Sequence, residues 1–136
     1  MNRGTVFIVE DDEEFARILQ IRLQTTGFHV LRTSSGEEAF GLIEAAQPDV
    51  VLLDVFLPDM DGLTILKRLK SPVDIETGKP SVTKRIPVVV LTGKAPMVEN
   101  MVRMEGASDF FLKPVDMSKL EHRLGELVEI KHNGNS

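Results

Sequence analysis

The chain has 136 residues, 42% of them hydrophobic and 27% charged, and carries a net charge of −5. That length suits one domain with a sizeable core and is short for two. The absence of cysteine excludes disulfides, thiolate metal sites and thiol nucleophiles, and the acidic balance speaks against a broad nucleic-acid surface.

No apolar run approaches the roughly 18 residues of a bilayer span, and the MNRG start lacks the hydrophobic stretch of a signal peptide. The expectation is a soluble, cytoplasmic protein, or one domain of a longer one. From the amino terminus, Thr5–Val9 reads as a strand, followed by a helical stripe of Phe15, Ile18, Leu19 and Leu23 that should stop at Gly27. His29–Leu31 reads as a second strand. Ser35 and Glu38 then form a capping box ahead of a helix carrying Ala39, Phe40 and Ile43. Val50–Leu53 is a third strand, and Ile65, Leu66 and Leu69 mark a third helix.

Residues 71–85, SPVDIETGKPSVTKR, interrupt this rhythm with two prolines, a Thr-Gly turn and no helical stripe. The stretch exceeds the usual helix-to-strand connection. It reads as an exposed loop or small hairpin, or more sharply as a partner-binding insert. Strand Val88–Leu91, a stripe of Val98, Met101 and Val102, and strand Phe110–Leu112 follow. Asp116 is placed to cap a last helix through Leu120, Leu124, Leu127 and Val128, with a frayed tail from about residue 132. The core should therefore span about residues 5–131. The strands are continuous apolar runs rich in Val and Ile, as in parallel strands buried on both faces. Regular βα alternation then implies an open α/β sheet with helices on both sides.

In such a sheet, ligands bind beyond the carboxyl ends of the strands, at the switch in strand order. Those ends carry Glu10-Asp11-Asp12, Asp54, Thr92-Gly93 and Lys113-Pro114. Clustered carboxylates raise one another's pKa unless a cation neutralises them, and a hard divalent ion such as Mg2+ suits an all-oxygen set. A carboxylate beside that ion can attack phosphorus, with Lys113 neutralising the phosphoryl charge and Thr92 donating a hydrogen bond. Taken singly, Asp54 could cap the following turn, Thr92 be an ordinary strand-end hydroxyl and Lys113 a solvated charge. It is the set that points to phosphoryl chemistry. His29, His122 and His132 lack ligand-like spacing, and Met97, Met101 and Met104 read as core and helix surface.

The segments FIVEDD, DVVLLDVFLPDMDG, IPVVVLTG and GASDFFLKPVD resemble the successive motifs of the receiver domain of two-component response regulators, over about Thr5 to Val128. The resemblance implies a flavodoxin-like (βα)5 fold, a doubly wound parallel sheet in the order 2-1-3-4-5. It implies that Asp54 accepts a phosphoryl group. Asp11, Asp54 and the backbone carbonyl of Phe56 would hold Mg2+, with Glu10 acting through water. Asp12, one position further, then reads as a helix N-cap, although a one-residue slip in register would make it a ligand instead. Thr92 corresponds to the switch hydroxyl, Phe110 to the aromatic that turns inward on activation, and Lys113 to the phosphate-binding lysine before a cis bond to Pro114. Phe111 is expected to face the core.

Phe56 and Lys94 flank the path of the hydrolytic water in that family, and an apolar residue at 56 with no carboxylate or amide at 94 predicts slow dephosphorylation. The span from Thr92 to Lys113 is about one residue short of the family pattern, which leaves the geometry of the fourth helix open. The partners implied are a sensor histidine kinase or phosphotransfer protein, an output domain or downstream protein, and a second copy of the chain. Such a domain modifies itself and is not an enzyme in the ordinary sense. A phosphatase of the haloacid dehalogenase type would need an acid where Phe56 stands. A flavin or nucleotide binder would need a phosphate loop where EDDEEF stands. A pseudo-receiver that only binds partners would not need the full constellation.

Overall fold

The structure, a computed structural model, describes residues 2–57, 59–93 and 98–134, with side chains described through Glu129. Strands β1 (Thr5–Val9), β2 (His29–Thr33), β3 (Val50–Asp54), β4 (Val88–Thr92) and β5 (Asp109–Leu112) alternate with helices. These are α1 (Glu13–Thr25), α2 (Gly36–Ala46), α3 (Gly62–Lys70), α4 (Val98–Met104) and α5 (Met117–Gly134). All strand pairs are parallel, in the order β2-β1-β3-β4-β5, as the sequence predicts. Order reverses between β1 and β3, whose register pairs Val6 with Val50 and Val9 with Leu53. A ligand crevice is expected above that switch point.

Alternation along the strands divides the core into two layers. Phe7, Val9, Val51, Leu53, Val88 and Val90 face α2, α3 and Val102 of α4. Val6, Ile8, Val50, Leu52, Val89 and Leu91 face α1 and α5. β3 and β4 are buried along their whole length, which explains their unbroken apolar sequence. Each fully buried aliphatic side chain contributes roughly 1.5–3 kcal/mol, so these layers supply most of the force that closes the fold.

Local signals act largely as the sequence suggests. At Gly27 (φ 103°) the chain leaves α1, with the Gly27 and Phe28 amides donating to Gln24 and Leu23 carbonyls in a Schellman arrangement. Asp12 caps α1 through the Phe15 amide, and Asp116 caps α5 through the Lys119 amide. Ser35 caps α2 by accepting from the Glu38 amide at 3.3 Å. The reciprocal half of the expected capping box does not form, because the Ser35 amide donates instead to Thr33 Oγ1 at 3.2 Å and the Glu38 side chain is exposed.

Other expectations need correction. Ile18 is exposed, since the buried stripe of α1 is Ala16, Leu19 and Leu23 and Ile18 lies at its edge. Met101 and Met104 are also exposed, so neither belongs to the core, and only Val102 of α4 is fully buried. Helix α5 continues to Gly134, past the expected boundary near 131. Phe111 packs on the core layer of α1 and α5 as expected, and Phe110, also half-buried, packs on the opposite layer. His29 and His122 are exposed, while Lys94 and Met97 fall outside the described residues.

Residues 71–85 form a small hairpin at the foot of the sheet, opposite the carboxyl ends of the strands. Val73 bridges to Pro80 in antiparallel fashion around a turn in which the Gly78 amide donates to the Asp74 carbonyl. Buried Thr83 anchors its base by donating to the Leu69 carbonyl at 2.9 Å. The Lys70 ammonium donates to the Lys84 and Ile86 carbonyls, and burial lowers its pKa to about 8. Arg68, stacked 3.7 Å above the Phe40 ring, reaches Asp74 and Glu76.

Candidate functional site: a carboxylate cluster above the switch point

Each βα junction delivers its chemical group because an apolar strand ends where a polar residue begins. β1 ends at Val9 and is followed by Glu10 and Asp11, Asp54 and Thr92 are the last residues of β3 and β4, and Lys113 follows β5 directly. Glu10, Asp11 and Asp54 each offer an oxygen within 4.8 Å of the others. Asp12, outside that group, accepts from the Phe15 amide as the cap of α1.

The three carboxylates differ in setting. Asp11 is exposed, whereas Glu10 and Asp54 are only 3% and 6% exposed. Lys113 spans the two buried ones, with Nζ 2.5 Å from Glu10 Oε1 and 3.5 Å from Asp54 Oδ2. The other Glu10 oxygen accepts from the Asp12 amide at 3.2 Å, and Asp54 Oδ1 accepts from the Phe56 amide at 2.9 Å. Burial pushes the Glu10 carboxyl up to about 7, with the Asp54 charge adding to the rise; the Lys113 and Asp12 bonds offset only part of it. Burial opposes the Lys113 ammonium, but its bond to Glu10 and the charge of both carboxylates outweigh that and raise its pKa above the ordinary lysine value. The ammonium also sits 4.7 Å from the centre of the Phe15 ring.

The remaining predicted residues surround this cluster. Asp54 pairs with Leu91 across β3 and β4, so Thr92 lies one residue beyond it on the adjacent strand, fully buried. The Thr92 carbonyl accepts from the Lys113 amide at 2.8 Å, tying the tips of β4 and β5 together. The Lys113–Pro114 bond is cis, as expected. Phe110 packs on the layer beneath α2 and α3. Phe56 is 44% exposed and bridges to Asp61 across the loop after β3. That loop folds tightly enough for the Gly62 amide to donate to the Val55 carbonyl, and a Cβ at Gly62 would lie 2.4 Å from Val55 Cα. Glycine is therefore required there for steric reasons alone.

Chemically, the arrangement is an all-oxygen set of mixed exposure with one ammonium and one hydroxyl at its edge. Glu10, Asp11 and Asp54 bring three carboxylates together with a single lysine, and a hard divalent cation fits that all-oxygen donor set. Sequence reasoning missed Asp59 and Asp61. Asp61 caps α3 through the Leu63 amide at 2.9 Å, a role that its position just ahead of a helical stripe could have revealed. Asp59 has no such local signal.

A parallel 2-1-3-4-5 sheet with an acidic cluster at its switch point defines the class, and the profile of the response regulator receiver domain matches residues 6–125. The chain belongs to that family, whose members are signalling domains of two-component systems. It is 33% identical over 135 residues to the transcriptional regulatory protein YkoG of Bacillus subtilis, covering 98% of this chain and 54% of YkoG. It is 30% identical over 124 residues to the alkaline phosphatase synthesis transcriptional regulatory protein PhoP of the same organism, covering 90% of this chain and 48% of PhoP. The chain thus spans about half the length of these relatives. Among solved structures, a response regulator from Chloroflexus aurantiacus superposes with a TM-score of 0.81 at 31% identity, covering 93% of this chain and 98% of that one. The BeF3-activated receiver domain of Klebsiella pneumoniae RstA gives 0.76 at 29% identity, with 91% and 97% covered. Among the described residues, no helix is long and apolar enough to cross a membrane.

Proposed function

We propose that this chain is the phospho-accepting switch of a two-component phosphorelay, with Asp54 as the acceptor. The observation that carries this reading is the convergence of Glu10, Asp11 and Asp54 at the ends of β1 and β3, with Lys113 after β5 bonded to Glu10 and Asp54. The donor is the phosphohistidine of a sensor kinase or phosphotransfer protein. One Asp54 oxygen bonds to phosphorus as the P–N bond breaks, and the imidazole leaves with the electron pair. The Phe56 amide on Oδ1 fixes the carboxylate's orientation for this attack.

Asp11, Asp54 and the Phe56 carbonyl would hold Mg2+ directly. Both Glu10 oxygens already have partners in Lys113 and the Asp12 amide, which favours contact through water. Bound there, Mg2+ supplies positive charge to the phosphoryl oxygens. Lys113 is placed to pass from Glu10 and Asp54 to the phosphoryl group, and the Thr92 hydroxyl to donate to it. As Thr92 moves, Phe110 takes the space it leaves, and the face of α4, β5 and α5 changes. Phosphorylation shifts that equilibrium only as far as the new group interacts differently with the two states. The face then meets an output domain, a downstream protein or a second copy of the chain. A cytoplasmic receiver unit bearing the 71–85 hairpin as an insert agrees with this reading.

Incubation with acetyl phosphate and Mg2+, followed by intact mass over time, tests the proposal. Wild type should gain one phosphoryl group and Asp54→Asn none; a wild type that gains nothing removes the phospho-switch reading. With an apolar residue at 56 and no carboxylate or amide at 94 in the sequence, the adduct should outlast minutes, and a lifetime of seconds would contradict the roles assigned to those two positions.

A further inference from the structure

The loop after β3 carries Phe56, whose amide orients Asp54, and it is held by an element remote in sequence. Asp59 Oδ1 accepts from the Gly36 amide at 2.9 Å, while Oδ2 accepts from the Glu37 amide at 3.2 Å and from Ser35 Oγ at 3.0 Å. A helix leaves its first four amides without intrahelical partners. In α2 every one is accounted for: Ser35 by Thr33 Oγ1, Gly36 and Glu37 by Asp59, and Glu38 by Ser35 Oγ. Half of that set therefore depends on a residue 22 or 23 positions away.

The contact is close on both sides. A Cβ at Gly36 would lie 2.9 Å from Met60 Cβ, 3.1 Å from Asp59 Oδ1 and 3.2 Å from Leu57 Cδ1. Glycine at the first position of α2 thus lets the loop seat against the helix. The seated loop, Val55–Leu57 with Asp59–Asp61, forms a wall of the hollow of about 640 Å³ that opens beside Asp11. The amide bonds hold the Asp59 carboxyl below the usual carboxylate range, so the contact is charged at neutral pH.

We infer that Asp59 is a positioning residue for the metal and phosphoryl site: by clamping the loop after β3 onto the start of α2, it sets where the Phe56 backbone stands relative to Asp54 and Asp11. Resting on the Mg2+-dependent receiver reading above, this makes the entry of α2 part of the machinery that fixes metal affinity. Asp59 touches neither the ion nor the phosphoryl group in this scheme.

Titration calorimetry with MgCl2 on the intact chain tests the clamp. Asp59→Ala should weaken Mg2+ binding about tenfold, the low end for loss of a residue that orients a metal ligand. Asp59→Asn, which keeps one acceptor, should lose less. Gly36→Ala, which unseats the loop from the helix side with Asp59 intact, should weaken binding as Asp59→Ala does. Ile43→Val, a core truncation further along α2, should lower the melting temperature without changing Mg2+ affinity. Equal affinity in wild type, Asp59→Ala and Gly36→Ala overturns the clamp while leaving the receiver reading in place. A loss in Ile43→Val matching that in Asp59→Ala also overturns it, because general destabilisation would then explain both. A wild type that binds no Mg2+ removes the Mg2+-dependent phospho-switch reading and the clamp with it.

Discussion

The two ends of the sheet are built on opposite electrostatic principles. At the foot, the two groups that anchor the hairpin are held by neutral carbonyls: Thr83 bonds the Leu69 carbonyl, and the Lys70 ammonium bonds two carbonyls. At the carboxyl ends, two buried carboxylates share one ammonium, and burial pushes the Glu10 carboxyl up to about 7, with the Asp54 charge adding to the rise. The foot thus holds a cation among neutral acceptors. The carboxyl ends instead gather carboxylate oxygens within 4.8 Å of one another around a single ammonium, a donor set that suits a cation.

The largest expected effect that would sharpen this contrast lies at the site. In Mg2+-free buffer, Lys113→Met should lose about 2 kcal/mol by urea unfolding, since it leaves Glu10 and Asp54 without their cation. The figure falls below that of a fully buried pair because the Lys113 side chain keeps 22% exposure. Saturating Mg2+ should narrow the loss, and a loss unaffected by Mg2+ would break the contrast. At the foot, Thr83→Val leaves the Leu69 carbonyl without its donor and should cost about 1–2 kcal/mol whether or not Mg2+ is present.

The smallest effect is a change in slope. The pKa of Lys70 lies near 8 in the folded chain against 10.5 as the ordinary value, so between these limits the unfolded chain holds more protons. Its contribution therefore makes stability rise with pH from about 8 to 10.5. Lys70→Met should remove that rise from the difference between the two stability curves. Parallel curves for variant and wild type would show that burial does not depress this lysine.

Much of this was legible in the sequence because the signals are local or periodic. Continuous Val and Ile runs announced parallel strands, Gly27 announced the end of α1, and the residues beyond each strand announced the carboxylate cluster. What stayed hidden depends on partners far apart along the chain. Asp59 sits in a turn-like PDMDG stretch, and nothing nearby shows that its acceptors serve the amides of α2. The exposure of Ile18 and Met101 escaped for a different reason: a helical stripe read by spacing gives a face, whereas burial depends on how far the neighbouring helices reach over its edges. The hairpin could be read as an irregular segment, but its anchoring through Thr83 and Lys70 could not.

That hairpin has a practical consequence. Its turn lies at the end of the sheet opposite Asp54, where Thr77 and Lys79 are exposed on either side of Gly78, whose φ of 72° disfavours a side chain. The bridge between Val73 and Pro80 closes the segment on itself, and Arg68 tethers its Asp74–Glu76 side to α3. A fluorophore or an inserted reporter carried there would travel with the domain as a handle, leaving both the carboxylate cluster and the face of α4, β5 and α5 clear for their own encounters.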